Sequence, residues 1–175
     1  MQINTPFKLE FLSLKTENFK NKKKNFIKHL KSYPEKKYPN FTSNRGNKGL
    51  ADIAAKIFEK EFLILSNHFK SSINLYDAWT ATYKRGDYHI PHNHGSTGYC
   101  GILYLDMHKK SPVTCYMQPW NSDKDRTVIY QPSAVEGDIV VVPQFIQHYT
   151  HPNTNNFKKR ILSFDFKLLT TGAEQ

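Results

Sequence analysis

Two distant stretches constrain this chain more than anything else in it. They are Gly86-Asp87-Tyr88-His89-Ile90-Pro91-His92-Asn93-His94 and Gly137-Asp138-Ile139-Val140-Val141-Val142-Pro143, the second followed after four more residues by His148. In an extended strand residues i and i+2 share a face, so His92 and His94 can turn toward one ion. His148 has to arrive on a different strand, so the chain must fold back until strands remote in sequence lie together. Neutral imidazole ligates Fe, Zn, Cu and Ni, and the three histidines by themselves leave the metal open.

The hydrophobic pattern supplies such strands. After residue 72 the apolar period drops to two and turn residues recur every eight to twelve positions, the spacing of an all-β sandwich or barrel. Strands are expected at 73–83, 87–92, 98–107, 112–118, 126–130, 138–143, 146–150 and 160–167. Upstream, Pro6–Leu12 alternates as a short strand. A helix over about 17–30 aligns Phe19, Phe26, Ile27 and Leu30, and a long helix over 49–70 aligns Leu50, Ile53, Ala54, Ile57, Phe58, Phe62, Leu65 and Phe69. Tyr33-Pro34, Tyr38-Pro39 and Ser43-Asn44-Arg45-Gly46-Asn47 read as loop. The expected architecture is one domain over 1–175, α+β but mainly β. A helical support region over 1–72 buttresses a double-stranded β-helix (a jelly-roll, cupin-like barrel) over 73–168.

A chain of 175 residues with 12 Phe and 10 Tyr can bury a sizeable core. No charged-then-apolar leader opens it and no run of 18 apolar residues occurs, so neither a signal peptide nor a membrane span is expected. Two cysteines, Cys100 and Cys115, make no disulfide framework, and a cytoplasmic location is the expectation. The net charge of +10 raises the prospect of a nucleic-acid or other anionic partner. The densest run, Lys20-Asn21-Lys22-Lys23-Lys24, falls off the apolar stripe of the first helix, as a solvated face does. The excess is in lysine and lacks aromatic interleaving, so charge is the only signal for nucleic acid.

Five of the eight histidines sit in 89–94 and 148–151. His89 lies three before His92, and His151 three past His148; on regular strands each faces away from its neighbour. The expected ligands are therefore His92, His94 and His148.

Trp79, Tyr83-Lys84-Arg85-Gly86-Asp87-Tyr88, His92-Asn93-His94, Gly101-Ile102-Leu103-Tyr104-Leu105, Gly137-Asp138-Ile139-Val140, His148 and Arg160-Ile161-Leu162-Ser163-Phe164 together resemble the Fe(II)/2-oxoglutarate-dependent dioxygenase superfamily. The likeness is closest to its small prolyl-hydroxylase-like members from bacteria and phages, and covers roughly the last 100 residues. The resemblance implies Fe(II) on His92, His94 and His148, with 2-oxoglutarate and O2 as cosubstrates. It also implies hydroxylation of a C–H bond in an amino acid, peptide or protein, yielding succinate and CO2. Arg160, 12 residues after His148, stands where the superfamily places the base that grips the far carboxylate of 2-oxoglutarate, a task suited to a planar fork. The alternative is that Arg160 ends a surface run, Lys158-Lys159-Arg160. Tyr83 matches a cosubstrate-binding tyrosine but also suits a core; Ser163 and Tyr104 are weaker candidates for the same pocket. Loop 119–136, with Trp120, Asn121 and Arg126, is a candidate substrate cover.

The chain departs from the superfamily's His-x-Asp/Glu pattern, because His94 stands where the carboxylate should be. That departure supports a competitor. Gly86 with His92-x-His94, and Gly137, Pro143 and His148, also fit the two cupin motifs, although the cupin glutamate after the histidine pair is missing and Arg160 has no role there. A three-histidine cupin would be a 2-oxoglutarate-independent dioxygenase or an isomerase. A third reading is a non-catalytic metal-binding barrel. Hydrolysis lacks a Gly-x-Ser-x-Gly elbow, and phosphate-loop motifs are absent.

Overall fold

A computed structural model describes residues 9–121 and 124–169. Its elements in order are β1 (Leu12–Lys15), α1 (Phe19–His29), β2 (Lys36–Tyr38), β3 (Phe41–Ser43), α2 (Leu50–Ile57), α3 (Glu59–Phe69), β4 (Ser72–Tyr83), β5 (His89–His92), β6 (Tyr99–Asp106), β7 (Thr114–Asn121), β8 (Thr127–Tyr130), β9 (Asp138–Pro143), β10 (His148–Thr150) and β11 (Lys159–Leu169). A seven-stranded sheet runs β1-β9-β6-β11-β4-β3-β2 and a four-stranded sheet runs β5-β10-β7-β8. All pairings are antiparallel. This is the double-stranded β-helix expected from the strand pattern.

The large sheet has two buried faces with different tasks. Its outer face, with Leu103, Leu105, Val141, Leu162, Phe164 and Phe166, packs on Phe26, Leu50, Ala54, Phe58, Phe62 and Leu65 from the helices. Its inner face, with Ala81, Tyr83, Ile102, Tyr104, Val140, Val142 and Ile161, meets Tyr116 and Ile146 inside the barrel. Strands apolar on both faces lose clean alternation, which is why β9 reads as an almost continuous apolar run. Each fully buried large side chain contributes about 1.5–3 kcal/mol.

Three sequence expectations change. The long helix over 49–70 is two helices: Phe58 leaves helical geometry (φ −106°, ψ 27°) and buries its ring against Phe26 at 5.7 Å, bending the apolar stripe. The region before residue 72 is not only helical, because β1, β2 and β3 extend the large sheet at both edges. β2 and β3 form a hairpin across Pro39-Asn40, where the prolines and three-residue strands gave no readable period. The strand expected at Pro6–Leu12 falls partly outside the described residues; among those described, the strand begins at Leu12.

Part of the basic run is structural. Lys22 Nζ binds the fully buried Glu61 carboxylate at 2.6 Å, and Lys23 bridges Asp106 and Glu136. No described helix is long and apolar enough to cross a membrane.

Gly101 on β6 lies opposite Phe164 on β11, and a Cβ there would stand 2.1 Å from the Phe164 ring. Gly101→Ala is expected to destabilise the fold by about 1–3 kcal/mol through overpacking, read as a lowered urea midpoint. Adding Phe164→Leu should return much of that loss.

Candidate metal centre and cosubstrate pocket

His92 ends β5, His148 opens β10, and the two are cross-strand partners. His94 follows β5, its backbone N–H donating to Gln144 O. Ring centroids lie 4.5 Å (His92–His148), 5.0 Å (His94–His148) and 5.5 Å (His92–His94) apart. One nitrogen from each of the three lies within 4.8 Å of the others, an arrangement able to hold a metal ion.

The second nitrogen of each ring decides which one faces the centre. His92 Nδ1 donates to Ile90 O (2.9 Å) and His148 Nδ1 donates to Ile146 O (3.0 Å). His94 Nδ1 donates to Asp165 Oδ1 (2.6 Å). These acceptors fix the Nδ1–H tautomer and leave three Nε2 lone pairs free, the outer arrangement that orients metal-bound histidines. Burial pushes the His92 pKa down and holds His148 well below its ordinary value, so both rings are neutral at neutral pH, as ligands must be. Asp165 places a carboxylate behind His94, one ring away from where the superfamily pattern has it. Sequence reading did not single out Asp165.

His89 is not turned away. β5 carries a bulge: His148 pairs His92 and Thr150 pairs His89, so three steps on β5 match two on β10. The extra residue puts His89 and His92 on the same side, rings 3.9 Å apart, and both line the cavity. His89 lies against Phe41 and Tyr83 OH; burial first, then the neighbouring histidines, lower its pKa to about 3. It is a neutral wall residue outside the ligand triad.

The triad lines a cavity of about 320 Å³ between the sheets, walled by Phe41, Trp79, Tyr83, Ile102, Thr114, Thr150 and Ser163 among others. Arg160 does not face it. Along β11, Lys159, Ile161, Ser163 and Asp165 share the inner face, while Arg160, Leu162 and Phe164 share the outer one. Arg160 Nε donates to Thr82 Oγ1 (3.2 Å), with Glu35 at 3.9 Å and Asp106 at 3.8 Å, in a polar patch outside the barrel. Its neighbour Lys159, on the inner face of β11, is fully buried.

Lys159 Nζ lies 5.3 Å from the Tyr83 ring centroid and 5.6 Å from that of Tyr104, with one long hydrogen bond to Thr150 Oγ1 (3.4 Å). No carboxylate pairs with it among the described residues. Burial lowers its pKa to about 7. Beside it Thr114 Oγ1 is buried with no hydrogen-bond partner. A buried lysine without a counter-ion and an orphaned hydroxyl are both costly; burial relieves the lysine by lowering its pKa, and an anion joining them would relieve both. Tyr104 is buried here, its OH accepting from Thr114 N (3.1 Å), and Ser163 lines the cavity. The signal for Lys159 was present in sequence: Ser163 and Asp165 share its parity, whereas Arg160 shares that of Leu162 and Phe164.

Trp120, Asn121 and Arg126 stand away from the cavity. Trp120 and Asn121 end β7, where Asn121 pairs with Thr127 of β8, and Arg126 precedes β8; all three are exposed, and none lines the cavity.

Comparison with solved structures gives the architecture its context. A 2OG-Fe(II) oxygenase family protein from Burkholderia pseudomallei superposes with TM-score 0.70 at 9% identity, covering 90% of this chain and 84% of its own. HygX from Streptomyces hygroscopicus, solved with nickel, 2-oxoglutarate and hygromycin B, gives TM-score 0.65 at 12% identity, covering 91% and 83%. A viral collagen prolyl hydroxylase from Paramecium bursaria Chlorella virus-1, solved with 2OG, gives 0.62 at 14% identity, covering 91% and 96%. The fold is that of the 2-oxoglutarate/Fe(II) oxygenases. No family model matches the chain, and no curated protein does.

Because Lys159 is depressed to about 7 in the folded state and ordinary (10.5) in the unfolded one, the unfolded chain holds an extra proton between those values. Stability of the metal-free protein should therefore rise as pH climbs from about 7 toward 10. Thermal melts of wild type against Lys159→Met check this: the difference between the two slopes isolates the lysine, and Lys159→Met should be the more stable protein at pH 7 and below.

Proposed function

We propose that the chain is an Fe(II)- and 2-oxoglutarate-dependent oxygenase that hydroxylates a C–H bond, turning substrate, O2 and 2-oxoglutarate into hydroxylated substrate, succinate and CO2. The observation that carries the reading is the buried Lys159 amine, with no carboxylate partner among the described residues, packed against Tyr83 and Thr150 of a cavity that is also lined by three converging imidazoles. 2-Oxoglutarate has the matching layout, a keto-acid for the metal and a carboxylate for the lysine. His92, His94 and His148 would hold the metal, and Lys159, with Thr114 and Thr150, would hold the far carboxylate. Tyr83 packs against the ammonium and keeps water from it. Iron with bound 2-oxoglutarate supplies an oxidant strong enough for an unactivated C–H bond.

The protein's own part follows from its residues. The three Nδ1 acceptors hold the imidazoles in place, so ordering them costs little when the metal arrives. Three ligands on one side leave open positions on the other. Asp165 offsets through His94 part of the positive charge gained by replacing a carboxylate ligand with imidazole. The aromatic lining of Phe41, Trp79 and Tyr83 lowers the local dielectric, strengthening the Lys159–carboxylate interaction. The prolyl hydroxylase among the similar structures supports an amino-acid, peptide or protein side chain as substrate.

His148→Ala should abolish Fe(II) binding in an anaerobic titration. Lys159→Met should retain iron yet weaken 2-oxoglutarate by roughly 10- to 100-fold, the value of a hydrogen bond to a charged group, seen as loss of the visible chelate band. Arg160→Ala should leave both affinities within about twofold. Iron binding with no response to 2-oxoglutarate in the wild type would instead favour the three-histidine cupin reading.

A further inference from the structure

Arg45 belongs to a segment without regular structure, yet it is firmly placed. Ser43 and Asn44 before it are buried. Ser43 Oγ donates to Thr80 O (2.8 Å) and accepts from Arg45 N (3.1 Å). Asn44 Oδ1 accepts from Thr80 N (2.6 Å), and Asn44 Nδ2 donates to Tyr33 O (3.2 Å). Gly46 then turns the chain away at φ +87°. The segment is thus bolted to Thr80, next to Trp79 on β4.

The guanidinium carbon lies 4.5 Å from the centroid of the Trp79 ring, and that ring lies 5.2 Å from the His94 ring. Arg45 and Trp79 both line the cavity. Asp77 feels the Arg45 charge, and Asp165 is engaged by His94. No carboxylate lies within ion-pair distance (4.0 Å) of the guanidinium among the described residues. Stacked arginine keeps its forked donors for a planar oxyanion.

Arg45 also stands at a different end of the cavity from Lys159. Trp79 and Tyr83 are four residues apart on β4, about 13 Å at strand spacing; Arg45 stacks on the first and Lys159 sits by the second. The cosubstrate pocket does not need Arg45, and the triad lies against the Trp79 end through His94.

We infer that Arg45, backed by Trp79, seats an oxyanion of the primary substrate, a carboxylate or a phosphate, and so presents a neighbouring carbon to the metal. The inference rests on the oxygenase reading and narrows its substrate to anionic compounds or residues. Trp79 forms the flat wall under the anion's carrier, and Tyr38, Phe41 and Ile90 complete an apolar entrance.

The test uses full-length protein carrying Trp120→Phe, so that Trp79 is the remaining tryptophan, loaded with Ni(II) and saturating 2-oxoglutarate to occupy the metal and Lys159. Benzoate, inorganic phosphate and benzamide are titrated while Trp79 fluorescence is read, and calorimetry follows 2-oxoglutarate separately. A saturable response to benzoate or phosphate, absent for benzamide and at least tenfold weaker in Arg45→Gln, with 2-oxoglutarate affinity unchanged, is the expected result. Whichever anion responds tells carboxylate from phosphate substrates. The inference is overturned if neither anion responds, if benzamide responds equally, if Arg45→Gln leaves the response intact, or if Arg45→Gln weakens 2-oxoglutarate instead. Should the calorimetry show no 2-oxoglutarate binding in the wild type, the oxygenase reading fails; the fluorescence titration of Ni(II)-loaded protein then still decides whether Arg45 seats an anion.

Discussion

The site depends on the alternation of one central strand. β11 lies between β4 and β6 over most of its length, so both its edges are paired and its register is held from two sides. One face carries Leu162, Phe164 and Phe166 into the helices; the other carries Lys159, Ile161, Ser163 and Asp165 into the barrel. A slip of one residue would put Phe164 in the cavity and Lys159 under the helices. The apolar contacts of the outer face therefore hold a lysine amine inside the barrel against its desolvation cost, which also lowers its pKa.

The histidine triad shows the same division of labour. Its three rings come from β5, the segment after it and β10, on the small-sheet side, whereas Asp165 comes from the large sheet. The His94–Asp165 hydrogen bond thus ties the two sheets together across the cavity. It also gives a physical account of how imidazole can stand where the superfamily has a carboxylate: the negative charge is kept, but behind the ring. The bulge in β5 serves the wall of the cavity, adding His89 beside Tyr83 and Phe41 without adding a fourth ligand.

Much of the architecture was legible in the sequence. The strands at 73–83 and 138–143 follow from period two and from β-branched runs. The convergence of His92, His94 and His148 follows from same-face spacing plus the need for a third strand. The helix break at Phe58 was not legible, because Phe58 keeps the apolar period of the stripe it interrupts. The β2–β3 hairpin was hidden by three-residue strands too short to show a period. Arg160 was placed by its residue type, which suits a carboxylate, whereas the parity of Ser163 and Asp165 turns Lys159 inward and Arg160 to the outer patch.

By itself the sequence determined the periodicities, the barrel class and the three imidazoles that converge in an arrangement able to hold a metal ion, since these depend on local spacing and side-chain chemistry. Only the tertiary structure decided that Lys159 is buried inside the barrel while Arg160 lies outside it, that His89 joins the cavity wall, that Asp165 backs His94 and that Arg45 lies on Trp79. Each of those depends on contacts between segments tens of residues apart, through a bulge, a shared sheet face or a clamped turn. Local pattern can set which faces a strand offers; the packing of the other strands and helices selects the one turned inward.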